Sequence, residues 1–150
     1  MLIYLGADHG GFNLKEFLKI SLKNKGYEAT DLGNVRYEES DDYPDFAAAV
    51  GKKVSANPEE SRGILICRSG AGVDIVANKF RDVRSGLGIS PDQVFHMRQH
   101  DNINILSLAS DFTSEADAQK MVTVFLETPF GPEPRHQRRI DKISEVENQW

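Results

Sequence analysis

The run Gly63-Ile64-Leu65-Ile66-Cys67-Arg68-Ser69-Gly70-Ala71-Gly72 constrains the fold more than any other stretch of the chain. Its apolar start is too short for a helix and follows Arg62-Gly63, so it reads as a strand buried on both faces. Two glycines then punctuate the chain, and a helix is expected over Ile75 to Phe80. Strand, glycine turn and helix are the unit of parallel α/β sheets. In an open sheet of that kind the turn lies at the carboxyl edge, where free N–H groups and the positive end of a helix face an anion. Cys67 and Ser69 therefore fall where a ligand would sit. Taken alone, a cysteine that ends a strand is a small buried hydrophobe, and only the other polar clusters of the chain point it towards chemistry.

The same alternation runs along the whole chain. Leu2 to Ala7 is a first strand, Asp8-His9-Gly10-Gly11 punctuates it, and Leu14, Phe17, Leu18 and Leu22 line one face of a helix. Tyr27 to Leu32 is a second strand; Asp42-Tyr43-Pro44 opens a helix with Phe46, Val50 and Val54 inward. Between them Gly33 to Asp42, polar and acid-rich, reads as a loosely ordered surface loop. Val83 to Gly88 is a fourth strand, and Ser90-Pro91-Asp92 caps a helix ending in Arg98-Gln99-His100. Ile103 to Leu108 is a fifth strand; Thr113-Ser114-Glu115 opens a helix with Met121, Val122 and Phe125, and Pro129 to Pro134 breaks it. A last helix is expected over about residues 135–146. The pattern predicts right-handed βαβ crossovers and a three-layer α/β/α fold in a single domain of 150 residues.

Composition then removes function classes. A net charge of −5 is the wrong sign for a nucleic-acid footprint. One cysteine makes no internal disulfide, and no apolar run has the length of a signal-peptide core or a membrane span. A cytoplasmic protein with a free thiol and no membrane or nucleic-acid partner is expected.

Four polar clusters carry the chemistry: Asp8-His9, Cys67 to Gly72, His100-Asp101-Asn102, and Arg135-His136-Gln137-Arg138-Arg139. The first three are expected to converge on one crevice of a doubly wound sheet. The glycine turn offers backbone donors to an oxyanion or phosphate, and a helix start beside Cys67 favours a thiolate acting as base or nucleophile. Arg135 and Arg139, four residues apart on a helix, present two guanidinium forks suited to a phosphate, or alternatively form a solvated basic patch. Sharper motifs fail. Gly6-Ala7-Asp8-His9-Gly10-Gly11 lacks the middle glycine of a dinucleotide fingerprint. The position six residues after Cys67, where a tyrosine-phosphatase loop has arginine, is Val73. His96 and His100 stand four apart, but Met97 follows His96, so the H-E-x-x-H arrangement is absent and no metal is expected.

Together, Ile64 to Cys67, Ser69-Gly70-Ala71-Gly72, Ala77-Asn78-Lys79, Asp8-His9, Arg98-Gln99-His100 and Arg135 to Arg139 resemble ribose-5-phosphate isomerase B and its galactose-6-phosphate isomerase relatives. The resemblance runs from the first strand into the last helix. It implies a Rossmann-like sheet of five parallel strands, and a homodimer or dimer of dimers with active sites between subunits. It also implies an aldose–ketose isomerase needing no cofactor. On that pattern His100 helps open the sugar ring, and Cys67 moves a proton between C2 and C1 through an enediolate held by the Ser69 to Gly72 turn. Asp8 contacts sugar hydroxyls, and His9, Arg135 and Arg139 hold the phosphate. The chain departs from the pattern at Arg68, usually glycine; at Asp101, usually asparagine; and at Asp111, where many members carry arginine. These departures bear on substrate identity, so a hexose 6-phosphate isomerase and a non-catalytic sugar-phosphate-binding module stand as alternatives. Arg68 is expected to reach into the crevice, contacting ligand or pairing with Asp101 or Asp111. Asp74 lies one residue beyond the place of a glutamate that serves as base in members lacking the cysteine.

Overall fold

The computed structural model describes residues 1–149. Short apolar strands alternate with helices: β1 (Leu2–Ala7), α1 (Phe12–Asn24), β2 (Ala29–Asp31), α2 (Tyr43–Ala56), β3 (Ser61–Cys67) and α3 (Ala71–Ala77). They are followed by β4 (Ser85–Leu87), α4 (Pro91–Asp101), β5 (Ile105–Ala109), α5 (Glu115–Glu127) and α6 (Pro134–Glu147). A single 3-10 turn, His9–Gly11, joins β1 to α1. Among the described residues the five strands form one sheet in the order β2-β1-β3-β5-β4, with every pair parallel. Parallel neighbours need a crossover after each strand, and the helices that supply it cover both faces.

Side-chain alternation along the strands splits the core into two layers. Ile64 and Ile66 of β3 pack with Leu106 and Leu108 of β5 against Leu14 and Leu18 of α1 and Met121 and Phe125 of α5. Leu65, Cys67 and Ile105 face the other way, onto Val50 and Val54 of α2 and Val73 and Ala77 of α3. The result is the expected three-layer α/β/α arrangement. No helix among the described residues is long and apolar enough to cross a membrane.

Several boundaries differ from expectation. The edge strands β2 and β4 are three residues each, because each pairs on one side only, Ala29–Asp31 with Ile3–Leu5 and Ser85–Leu87 with Ile105–Ser107. The fifth strand starts at Ile105 because Asn104 is committed to the preceding turn, accepting from Arg84 N–H and donating to the Asp82 carbonyl. α3 begins at Ala71 rather than Ile75, since Gly70 turns the chain into the helix directly. In α2, Ala47 takes the buried position beside Val50 and Val54, and Phe46 is half-buried.

Strand order reverses at β1, with β2 on one side and β3 on the other. The helices that follow β1 and β3 pack on opposite faces of the sheet, α1 through Leu14 and Leu18 and α3 through Val73 and Ala77. That makes the carboxyl ends of these strands the switch point where sheets of this kind have their binding crevice.

Candidate active site

Ala7 of β1 lies opposite Ile66 of β3, so Asp8-His9 emerge beside Cys67. Asp8 is buried and its Oδ1 accepts from Gly11 N–H at 3.0 Å, capping the 3-10 turn. Cys67 is 5% exposed, and its carbonyl accepts from Ser110 N–H at 2.9 Å. Ser110 Oγ donates to the Gly10 carbonyl at 2.8 Å, which ties the ends of β1, β3 and β5 together. The two turns touch: a Cβ at Gly10 would lie 2.5 Å from Arg68 Cγ.

Gly70 sits at φ +72°, the left-handed region that favours glycine, and starts α3. The first helical bond, Asp74 N–H to the Gly70 carbonyl at 3.2 Å, leaves the N–H groups of Ala71 and Gly72 ahead of the helical ladder. Ser69 and Ala71 are exposed. The Tyr43 ring lies over Gly72, so close that a Cβ there would meet it at 2.7 Å. Asp74 is engaged elsewhere, accepting from Ser85 Oγ at 2.6 Å. Arg68 and Asp111 approach to 4.0 Å, both largely exposed, a rim pair of little energetic weight.

The loop 33–42 is ordered rather than loose. Asp41 Oδ1 accepts from both His9 N–H (2.9 Å) and His9 Nδ1 (2.7 Å), and its Oδ2 accepts from the Asn34 amide. The hydrogen bond that His9 donates to Asp41 raises the His9 pKa above the ordinary histidine value. Partial burial opposes that rise, Asp8 adds to it, and the Arg68 guanidinium works against it. Asn34 is anchored in turn by the fully buried Lys15, whose Nζ donates to the Asn34 carbonyl (2.8 Å), Asp31 (2.5 Å) and Glu16 (2.9 Å). Asp8, His9 and Asp41 bring one ligand-type atom each within 4.8 Å of the others. Their hydrogen bonds to Gly11, to each other and to Asn34 make this set an ionic clasp on the loop.

The third cluster does not reach this crevice within the chain, which corrects the convergence expected of the first three, and the fourth lies beside the third. α4 leaves the carboxyl end of β4 and runs back, so His100 and Asp101 lie at the amino edge, just before β5. Ile105 pairs with Gly63 and Ala109 with Cys67, so four residues of strand, roughly 13 Å, separate the two levels. There the His100 ring stacks on His136 with centroids 4.5 Å apart and on His96 at 5.1 Å. His136 is buried, and its Nδ1 donates to the Gly131 carbonyl at 2.8 Å. Arg98 fixes the end of α4 by donating to Asn102 Oδ1 (2.8 Å) and to the carbonyls of Ile103 (2.5 Å) and Thr128 (3.2 Å). Burial, with help from Arg62 and Arg84, lowers its pKa to about 10. Arg135 is exposed and pairs with Glu133 at 2.9 Å; Arg139 is exposed on the same helix. Asp101 lines a cleft of about 830 Å³ with Arg81, Arg84, Met97, Ile143 and Val146, beneath α6 and away from Cys67. Arg68 therefore has Asp111, not Asp101, as its neighbour.

Sequence reasoning missed Asp41, Asn34, Lys15, Tyr43 and Ser110. Lys15 carried a signal, since it falls between Leu14 and Leu18 near the apolar stripe of α1. The others act through contacts between segments distant in sequence, which no local pattern encodes.

The chain matches the family described as Ribose/Galactose Isomerase over residues 3–143. It is 42% identical over 147 residues to the probable ribose-5-phosphate isomerase B of Mycoplasma genitalium, covering 98% of this chain and 96% of that protein. Against ribose-5-phosphate isomerase B of Mycobacterium tuberculosis H37Rv the identity is 39%, covering 98% and 90%. The crystal structure of the Mycoplasma genitalium enzyme with bound ribulose 5-phosphate superposes with a TM-score of 0.95, covering 99% of this chain and 97% of that one at 42% identity. The Clostridium thermocellum ribose-5-phosphate isomerase B follows at a TM-score of 0.93, with 37% identity and 99% of both chains covered. With its switch-point crevice and a match along nearly its whole length, the chain belongs to the ribose/galactose isomerase family.

Proposed function

We propose that the chain is a single-domain aldose–ketose isomerase interconverting ribose 5-phosphate and ribulose 5-phosphate. The observation that carries this reading is the crevice where Asp8-His9 meet Cys67 and the Gly70 turn, in a chain 42% identical to a relative whose structure holds ribulose 5-phosphate. Cys67 takes the proton from C2 of the open aldose; the C–H electrons form the C1–C2 double bond and charge passes to O1. A proton moves from O2 to O1, and the thiol returns its proton to C1, giving the ketose. A C–H acid beside a carbonyl needs a base and a stabilised oxyanion, and the N–H groups of the Ser69 to Gly72 turn supply the second. Asp74 is the less suited base because Ser85 Oγ already occupies its carboxylate.

His100 opens the ring, and His9, Arg135 and Arg139 hold the phosphate, while Asp8, Arg68 and Asp101 border the substrate. Because His100, Asp101 and the α6 arginines stand at the amino edge, they serve the crevice of a second copy, and the working unit is a homodimer with sites between subunits. Incubating the protein with ribose 5-phosphate and ribulose 5-phosphate in deuterated water tests the reaction. Deuterium at C2 of ribose 5-phosphate is expected. A panel that exchanges only hexose 6-phosphates moves the substrate, and no exchange with any sugar phosphate refutes the enzyme.

A further inference from the structure

We propose that Asp41 is a positioning residue for phosphate binding, holding the His9 ring by Nδ1 so that Nε2–H is the donor left for the anion. The proposal rests on the reading of the crevice as a sugar-phosphate site. A carboxylate only accepts, so the 2.7 Å contact to Asp41 Oδ1 places the proton on Nδ1. The same oxygen accepts from His9 N–H at 2.9 Å, which fixes backbone and ring to one point.

Asp41 can do this because its loop is held from below. Its other oxygen takes the Asn34 amide, the Asn34 carbonyl takes buried Lys15, and Asp31 takes both Lys15 and Gly33 N–H. The clasp thus connects the substrate-facing ring to the interior of α1. The Tyr37 ring, edge-on at 6.3 Å, closes one side of the imidazole.

The charge matters as much as the geometry. Around His9 stand two carboxylates, Asp41 and Asp8, and one guanidinium, Arg68. The balance keeps the imidazolium populated to higher pH than in a free histidine, and a cationic donor bonds a phosphate oxygen more strongly than a neutral one. Asp41 therefore keeps a cationic phosphate donor to higher pH than a free histidine would.

Two variants separate orientation from charge. Asp41→Asn keeps a carbonyl acceptor for Nδ1–H and removes the charge; Asp41→Ala removes both. The His9 ring is titrated by NMR in the ligand-free protein, its signal assigned with His9→Gln. Inorganic phosphate and ribose 5-phosphate binding are followed by calorimetry from pH 6 to 9. In Asp41→Asn the His9 midpoint falls, and phosphate affinity drops roughly tenfold between the variant and wild-type midpoints, the size of one charge-assisted hydrogen bond, while the two proteins converge at pH values below both midpoints. Asp41→Ala binds weakly throughout. The loss appears in KM more than in kcat. Phosphate's own ionisation is common to all three proteins and cancels in the comparison. If wild type binds phosphate and Asp41→Asn matches its affinity and pH profile, the proposal is overturned. If wild type binds neither phosphate nor ribose 5-phosphate, the sugar-phosphate reading itself has failed, whatever His9 does.

Discussion

Cys67 is set apart from an ordinary core thiol by its surroundings. It ends β3, its side chain shares a layer with Val73 of α3, and the residues after it leave the sheet at the switch point. Cys67→Ser keeps the volume and replaces a potential thiolate with a far weaker base. Deuterium exchange at C2 is expected to vanish while ribose 5-phosphate still binds; retained exchange would transfer the base role to Asp74. Asp31 makes a different residue-level prediction. Burial pushes its carboxyl up, but hydrogen bonds from Lys15, Lys19 and Gly33 N–H outweigh that and hold it below the usual range. A carboxyl lowered in the folded state lets the unfolded chain bind more protons, so its stabilisation is complete above about pH 4 and is lost as pH falls through the folded value. Urea midpoints measured downwards from pH 5 should fall less steeply in Asp31→Asn than in wild type.

Among elements, α3 shows best what sequence made legible and what it did not. The strand, the two glycines and a following helix could be read from residues 63–80, because apolar run length and glycine spacing are local signals. The helix start could not, since it depends on Gly70 adopting φ +72° under Leu87 and Leu108. Gly70→Ala meets both problems at once. A left-handed residue with a Cβ costs roughly 1–2 kcal/mol, and that Cβ would lie 2.4 Å from Leu87 Cδ1 and 3.0 Å from the Leu108 carbonyl carbon. Thermal unfolding of this variant should move down by several degrees, and its turnover should fall further than its stability, because the displaced turn carries the proposed oxyanion donors. The loop 33–42 was illegible for a related reason. Its polar composition reads as solvent-facing, yet a buried lysine and an active-edge histidine, both remote in sequence, give its carboxylate and carbonyl partners.

At the scale of the molecule, parallel topology decides which polar groups can meet. Every crossover helix that leaves the carboxyl edge returns to the amino edge, so His100 at the end of α4 was bound to lie opposite Cys67, a consequence readable from element order alone. α6 reinforces the separation by laying His136 against His100 and its carboxylate Glu147 against Asp82 N–H, both on the amino side. The proposed reaction needs both groups in one site, and with the two on opposite edges the proposal calls for a second copy of the chain. Complementation tests this directly. Cys67→Ser and His100→Ala are each expected to be nearly inactive as pure proteins. When the two are co-expressed with different tags and mix at random, about half the dimers contain one chain of each. In such a dimer one site combines the intact Cys67 of the His100→Ala chain with the intact His100 of the Cys67→Ser chain, and the other site carries both lesions. One working site out of two, in half of the dimers, gives about a quarter of wild-type activity, concentrated in the fraction that retains both tags. Inactivity of that doubly tagged fraction would place Cys67 and His100 in the same chain's site and require a rearrangement of α4 that the Arg98 hydrogen bonds oppose.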